Sequence, residues 1–332
     1  MSLLNGTTQE SIALTPDHCS VEKWDILRLR SLSTINKVRR FAGYLRSEKI
    51  EVLQLYFRDA MLVGVPAAYL AGVPRVVMTA FNDGYWMSPL DRWLYRRYQP
   101  FIHDMVVNCE AVKTSLVNNV SWPVRKITVI ENGIDLDAYR NITPWVPPTT
   151  SSVQRRVGMI ANLRSVKDPQ TFIKAAAIVH ARHPDTRFVL AGEGDLRHAL
   201  ETMIADLGLV GVVDLPGTIA DTPAFLSSLD IAVLCSQSEG MSNAVIEYMA
   251  AGRPSIVTAV GGNSELITHE KTGLLVPPNS PVELAASIER YLDQPALALS
   301  VASHSRDEAF QRFSIQSMTD RYETFYRSLF LE

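Results

Sequence analysis

Short apolar runs alternate with stretches of helical periodicity along almost the whole chain, and that alternation leaves few folds open. Apolar runs stand at Val52–Tyr56, Val76–Thr79, Met105–Asn108 and Ile127–Ile130. They recur at Arg156–Asn162, Arg187–Leu190, Val212–Leu215, Leu229–Cys235, Ser255–Thr258 and Gly273–Val276. Between them lie helical patterns, such as Ala60–Ala71 with Gly72 as a stop and Pro74 beyond it. Strands that alternate with helices pair in parallel and carry the helices on their faces. At 332 residues the chain is long enough for about two such domains. The stretch 141–154, NITPWVPPTTSSVQ, is rich in Pro, Ser and Thr, has no periodicity, and reads as the linker between them. A first helix is expected over 22–48, where Trp24, Leu27, Leu32, Ile35, Val38, Phe41 and Leu45 recur at helical spacing.

Charge and cysteine usage narrow the classes. The net charge of −3 points to no polyanion partner, and no nucleic acid is expected. Residues 1–140 carry 17 Lys and Arg against 14 Asp and Glu, and the remainder 15 against 21. A basic first half is compatible with an anionic acceptor or a membrane surface there. Cys19, Cys109 and Cys235 are odd in number and far apart, so they read as free thiols. No apolar run approaches the roughly 18 residues that span a bilayer, and the start lacks a secretory leader pattern. A cytoplasmic protein is expected, with peripheral contact at the inner face of the membrane as an open extension. Tyr85–Tyr98 bears on that: it mixes Trp and Tyr with arginines, and Pro89 can open a helix there. The same pattern suits a surface helix that packs its aromatics on a sheet.

Ser236 to Pro278 is the densest site-like stretch. An apolar run precedes Glu239-Gly240, and a helical pattern follows with Val245, Ile246, Met249 and Ala250 on one side. Ser242 or Asn243 could cap that helix, and Gly252 could end it. A helix start after a strand and a glycine offers free N–H groups to a phosphate. Glu239 and Glu247 are eight positions apart, roughly 12 Å if both follow a helical rise. That is too far for one metal ion and too far for the paired carboxylates of a retaining glycosidase, about 5–5.5 Å apart. It suits two hydroxyl-rich ends of one long ligand, such as a nucleotide-sugar. A strand–helix unit with two solvated glutamates has the same spacing.

Glu239-Gly240, then Glu247, then Ala250-Ala251-Gly252-Arg253-Pro254 and Gly261-Gly262-Asn263-Ser264-Glu265 closely resemble the donor-site signature of the family 4 glycosyltransferases. Tyr248 and Ser242 depart from it, standing where alanine and proline are common. Glu131-Asn132-Gly133-Ile134-Asp135 resembles the segment before that family's linker, and Gly192-Glu193-Gly194 resembles its second glycine turn. The C-terminal helical pattern from Ile315 resembles the family's last helix, which crosses back to the first domain.

The resemblance implies a GT-B fold of two Rossmann-like domains facing across a cleft. The bounds would be 1–140 for the acceptor-side domain, 155–313 for the nucleotide-sugar domain and 314–332 for the last helix. It implies a retaining, metal-independent transferase with no cofactor, moving a hexosyl group from a nucleoside-diphosphate sugar to a glycan or lipid-linked acceptor, as in cell-surface polysaccharide synthesis. Glu239 would hold donor-sugar hydroxyls, and Glu247 the ribose. Arg164 and Lys167 would steady the departing diphosphate. Gly240, Met241, Ser242 and Asn243 would orient sugar and phosphates, and the turns at Gly192 and Gly217 would lie near the nucleotide. Two features depart further: residues 1–20 hold no glycine-rich loop, and Phe81-Asn82 stand where the family carries a histidine. A shortened, catalytically impaired nucleotide-sugar binder therefore stays open beside the enzyme, as do an epimerase and a phosphorylase. A dehydrogenase does not, because no G-x-G-x-x-G follows the first strand.

Overall fold

The computed structural model describes residues 2–3, 22–23, 32–148 and 154–331. The chain forms two compact α/β units. The first holds the described residues up to Ala80 with Trp86–Val107 and Lys113–Val129; the second holds Phe81–Tyr85, Asn108–Val112 and everything from Ile130.

In the first unit, β1 (Ser2–Leu3) and β2 (Glu22–Lys23) form a two-residue parallel pair. Four further strands, β3 (Val52–Tyr56), β4 (Arg75–Ala80), β5 (Asp104–Val107) and β6 (Ile127–Val129), lie parallel in chain order. The expected helix over 22–48 is shorter: α1 runs Leu32–Ser47, Glu22–Lys23 is extended, and residues 24–31 are outside the described set. Helix α2 (Phe57–Ala71) packs on it through Phe41, Ala42, Leu45, Val63 and Ala67. Gly64 lets α2 close on β3, since a Cβ there would run into the Leu55 side chain. Helix α3 (Pro89–Tyr98) starts on a capping box. Ser88 Oγ accepts from the Asp91 N–H at 3.2 Å, and Asp91 Oδ2 accepts from the Ser88 N–H at 2.9 Å. Helix α4 (Glu110–Val120) follows β5.

The second unit opens with the short helix α5 (Asp137–Arg140). Its sheet is six parallel strands: β7 (Arg155–Ile160), β8 (Thr186–Ala191), β9 (Val213–Gly217), β10 (Ile231–Leu234), β11 (Ser255–Thr258) and β12 (Leu274–Val276). Their spatial order is β12-β11-β10-β7-β8-β9. Every residue of β10 and β11 is buried, as expected of strands covered on both faces. The unit's further helices are α6 (Pro169–Arg182), α7 (Arg197–Asp206), α8 (Thr222–Ser227), α9 (Asn243–Ala250), α10 (Asn263–Leu266), α11 (Pro281–Asp293), α12 (Pro295–Arg312) and α13 (Ile315–Ser328). Both units are Rossmann-like parallel-sheet domains. No helix of the described residues is long and apolar enough to cross a membrane.

The strand order reverses at β7, which has β8 on one side and β10 on the other. Loops leaving β7 and β10 therefore depart in opposite directions and open a crevice at their C-terminal ends. β7 and β10 share only two register pairs, Val157 with Ile231 and Gly158 with Ala232. Beyond them the buried Tyr248 hydroxyl takes over, accepting from the Ile160 N–H at 3.0 Å and donating to the Val233 carbonyl at 3.2 Å.

Two sequence features gain a physical reason here. Gly133 passes so close to the start of α13 that a Cβ would meet the Ser314 carbonyl, while Ile134 and Ile315 exchange backbone bonds with that region. Within the stretch read as a linker, Trp145 is buried and its Nε1 donates to Asp230 Oδ1 at 3.1 Å. Of the three cysteines, Cys109 and Cys235 are buried free thiols; Cys19 lies outside the described residues.

Tyr248→Phe should leave the Ile160 N–H without its partner in a dry site. Urea unfolding should show a loss of about 1–3 kcal/mol, and an unchanged midpoint would show that the hydroxyl bridge carries no weight.

Candidate active site

The loop after β7 runs from Ala161 into a 3-10 turn at Ser165–Lys167. It ends at Asp168, whose left-handed backbone (φ 47°) turns the chain into α6. The Asp168 carboxylate then caps that helix through the Thr171 N–H and hydroxyl. This sharp reversal returns Lys167 to the crevice. From the other strand, β10 gives way to Ser236–Gly240. The two loops are tied together, since the Gln237 N–H donates to the Val166 carbonyl at 2.8 Å.

Glu239 is the meeting point. Its Oε1 accepts from Lys167 Nζ at 2.5 Å and from Ser236 Oγ at 2.6 Å. Ser236 is wholly buried, and its own carbonyl is held by Thr258 Oγ1 at 2.7 Å. The carboxylate is thus fixed through one oxygen by a serine anchored in the core. Arg164, Lys167 and Asn162 line one wall of a cavity of about 190 Å³, and Ser238, Glu239 and Gly240 another. A third wall is Phe81, Asn82 and Tyr85. That segment is fastened by Asp83, whose Oδ1 accepts from Ser238 Oγ at 2.8 Å and from the Tyr85 N–H at 3.1 Å. Among the described residues, the exposed Arg164 guanidinium joins no ion pair.

Glycine at 240 and 261 is a steric requirement. A Cβ on Gly240 would collide with the Phe81 carbonyl, and one on Gly261 with the Glu239 carbonyl. Gly262 donates its N–H to the Gly240 carbonyl at 2.9 Å, closing the turn against the site. Glu265, the acid at the end of that glycine segment, accepts from the Glu110 and Ala111 N–H groups at 2.9 and 2.7 Å. It is a helix cap for α4.

The remaining sequence candidates fall around this cavity. Met241 is buried, and its carbonyl and Asn243 Oδ1 both accept from the Asn132 amide, at 3.1 and 2.8 Å. Ser242 holds the N-cap position of α9 but makes no capping bond with its side chain; the expected cap is absent. The 12 Å spacing assumed a continuous helix. Helix α9 begins only at Asn243, so Glu239 belongs to the loop and Glu247 to the helix. Glu247 is half-buried, and burial pushes its carboxyl up to about 7. Gly192 and Gly217 do not line the cavity; they pair with each other, the Gly192 N–H donating to the Gly217 carbonyl at 2.8 Å. Sequence reasoning missed Ser236, Asp83, Asn132 and the Tyr248 hydroxyl. Tyr248 left a signal as a departure from the resembled pattern, and Asn132 as part of the resembled segment Glu131–Asp135. Among the described residues no three His, Cys, Asp or Glu side chains gather as metal ligands.

Comparison with known proteins decides the family. The model of glycosyl transferases group 1 matches residues 149–308, and that of glycosyltransferase family 4 matches residues 15–138. An Escherichia coli UDP-Gal:alpha-D-GlcNAc-diphosphoundecaprenol alpha-1,3-galactosyltransferase is 25% identical over 90% of this chain and 81% of its own length. The chain belongs to the GT-B glycosyltransferases.

An alpha-D-kanosaminyltransferase of Streptomyces kanamyceticus is 30% identical to this glycosyltransferase over 51% of the chain, and the match spans 45% of that relative. Among solved structures, Anabaena HepE in complex with UDP-glucose shares the fold with a TM-score of 0.81 at 21% identity, covering 93% of this chain and 86% of its own. A sucrose-phosphate synthase from Thermosynechococcus elongatus does so with a TM-score of 0.78 at 19% identity, covering 96% and 85%.

Glu247 gives the site a pH signature. An unfolded glutamate ionises near its ordinary value of 4.5, whereas the folded one holds its proton to about 7. Between those values the folded state binds the extra proton, so its stability falls as pH rises through that window. Glu247→Gln fixes the neutral form. The variant should gain stability relative to the parent as pH rises from about 5 to about 8 in stepped urea unfolding. Parallel curves would show that the folded carboxyl is ionised throughout.

Proposed function

We propose that this glycosyltransferase moves a hexosyl group from a nucleoside-diphosphate sugar to a hydroxyl of a glycan or lipid-linked acceptor, with retention and without a metal. The observation that supports this most is the cluster at the strand reversal, where Glu239, Lys167 and Arg164 share one cavity. In the reaction the bond from the anomeric carbon to the diphosphate oxygen breaks, and the nucleoside diphosphate departs with the bonding pair. The acceptor oxygen then bonds to the same carbon from the same face, and its proton passes to the departing phosphate.

Each residue has a part. Lys167 and Arg164 stabilise charge growing on the diphosphate, where fixed cations in a partly dry crevice act most strongly. Lys167 begins on Glu239, so arrival of a diphosphate offers it a second anion to bridge. Ser236 keeps the carboxylate in place meanwhile. The free oxygen of Glu239 accepts from donor-sugar hydroxyls, and Glu247 from the ribose. Backbone groups of Gly240–Asn243 orient the sugar and phosphates, and the turns at Gly192 and Gly217 flank the nucleotide. Because the Gly217 carbonyl already accepts one bond, its second lone pair is what remains for a base edge.

The Escherichia coli relative is named for a UDP-galactose donor and a diphosphoundecaprenol-linked acceptor, and the HepE structure holds UDP-glucose. UDP-sugars are therefore the first donors to try. A lipid-linked acceptor places the reaction at the cytoplasmic face of a membrane, with the first unit in peripheral contact.

Calorimetry against UDP-, GDP- and ADP-sugars should find one binding nucleotide, with slow release of free sugar from it. Binding with no release, even after lipid-linked acceptors are added, would argue for a binding protein. Glu239→Ala should blunt discrimination among sugars while sparing free nucleotide, whereas Glu247→Ala should weaken both. Equal effects on free nucleotide would overturn these two roles. Lys167→Ala should lower kcat by about 10²–10³.

A further inference from the structure

Asn132 stands in a segment of the second unit that is fastened residue by residue. The Glu131 carboxylate accepts from Arg312 at 2.6 Å and from Arg321 at 2.7 Å. The Asn132 N–H donates to Met241 Sδ at 3.4 Å, and the Gly133 N–H to Met318 Sδ at 3.2 Å. The Ile134 N–H donates to the Phe313 carbonyl at 2.9 Å. The Asn132 side chain therefore reaches the start of α9 from a fixed post.

An amide has a donor end and an acceptor end, and its partners decide which end faces where. A backbone carbonyl only accepts, so the Met241 carbonyl, 3.1 Å away, holds the Asn132 amide nitrogen toward α9. The same nitrogen lies 2.8 Å from the end of the Asn243 side chain. Two amide nitrogens do not bond one another, so Asn243 meets it with Oδ1. Nδ2 of the exposed Asn243 is then turned the other way, and among the described residues it has no partner.

We propose that Asn132 is a positioning residue, which makes Asn243 present its two side-chain N–H donors to the diphosphate of the sugar donor. Asn243 lies four residues after Glu239 and four before Glu247, and it shares one face of α9 with Glu247. In the transfer reading those carboxylates take the hexose and the ribose, and the diphosphate of a nucleotide-sugar lies between the two. An anion there meets donors only while Asn132 holds the Asn243 oxygen. Turned over, the same side chain would set its carbonyl against the phosphates. This role for Asn132 rests on the transfer reading.

Calorimetry with UDP, GDP and ADP picks the diphosphate that the parent binds, and the matching nucleoside serves as the phosphate-free control. Asn243→Ala should weaken the diphosphate about tenfold, the worth of one hydrogen bond to a charged group, and leave the nucleoside unchanged. Asn132→Ala should weaken it severalfold, since Asn243 is then free to turn over. The double variant should match Asn243→Ala, because Asn132 works through Asn243. Unfolding midpoints check the fold, and Asn132→Asp, of the same size but unable to donate, repeats the comparison should alanine lower the midpoint. Equal losses for diphosphate and nucleoside, losses that multiply in the double variant, or no loss on changing Asn132 would each overturn the proposal. A parent that binds none of the three nucleotides overturns the transfer reading as well, whereas parent binding that the Asn132 variants leave untouched overturns this role alone.

Discussion

β7 and β10 part after two register pairs, and much of the second unit's chemistry follows from how that gap is managed. Parallel strands that diverge leave buried N–H and C=O groups facing one another with no ladder bond to make. Here a phenol hydroxyl set on the following helix takes one of each, from Ile160 and Val233. The bridge lets the strands separate without an unpaired donor in the core, and the loops above them separate with them. Lys167 then arrives from one side and Glu239 from the other. A hydrophobic residue at position 248 would close the same space but leave the polar groups uncompensated.

The site above this gap is built largely from backbone in close contact. The carbonyls of Phe81, Glu239 and Gly240 each pass against a glycine, so the loops stack too closely there to admit a Cβ. Carbonyl and N–H groups packed this densely cannot drift without breaking bonds to one another, so the Glu239 carboxylate starts from an already fixed position. Its entropy of ordering was lost at folding and is not lost again on binding. Burial does the complementary work at Glu247, where a carboxyl held half out of water keeps its proton near neutrality.

Much of the architecture was legible because it depends on patterns that one chain segment carries alone. Apolar runs such as Leu229–Cys235 announce buried parallel strands, and Gly72 and Gly252 announce helix ends. Glu239 and Gly240 could be singled out because they follow such a run, whereas Lys167 was named through the family resemblance. What could not be read depends on partners distant in the chain. Nothing around Asp83 says that it will hold Ser238, and nothing around Glu265 says that it will cap α4. Local propensity also favours a Ser242 cap, yet the buried Ser242 side chain makes no capping bond. The axial estimate for Glu239 and Glu247 applied a helix rise across a loop, because the helix begins only at Asn243. Of the helix expected over 22–48, Glu22–Lys23 is extended and Leu32–Ser47 helical, since apolar spacing alone does not mark where a helix starts.

The second unit draws in two outlying pieces, Phe81–Tyr85 and Asn108–Val112, that lie far upstream of the rest. Ser238 meets Asp83, and Glu265 meets Glu110, across 155 residues of sequence in each case. On a ribosome those pieces emerge long before their partners exist. The wall of the cavity that contains Phe81 and Asn82 can therefore close only after most of the chain has been made, which makes its assembly a late, long-range event. The same interleaving governs dissection: a fragment cut at the Pro-rich stretch near residue 150 would keep all six strands of the second sheet. It would lose the Phe81 carbonyl against Gly240 and both N–H groups that satisfy Glu265.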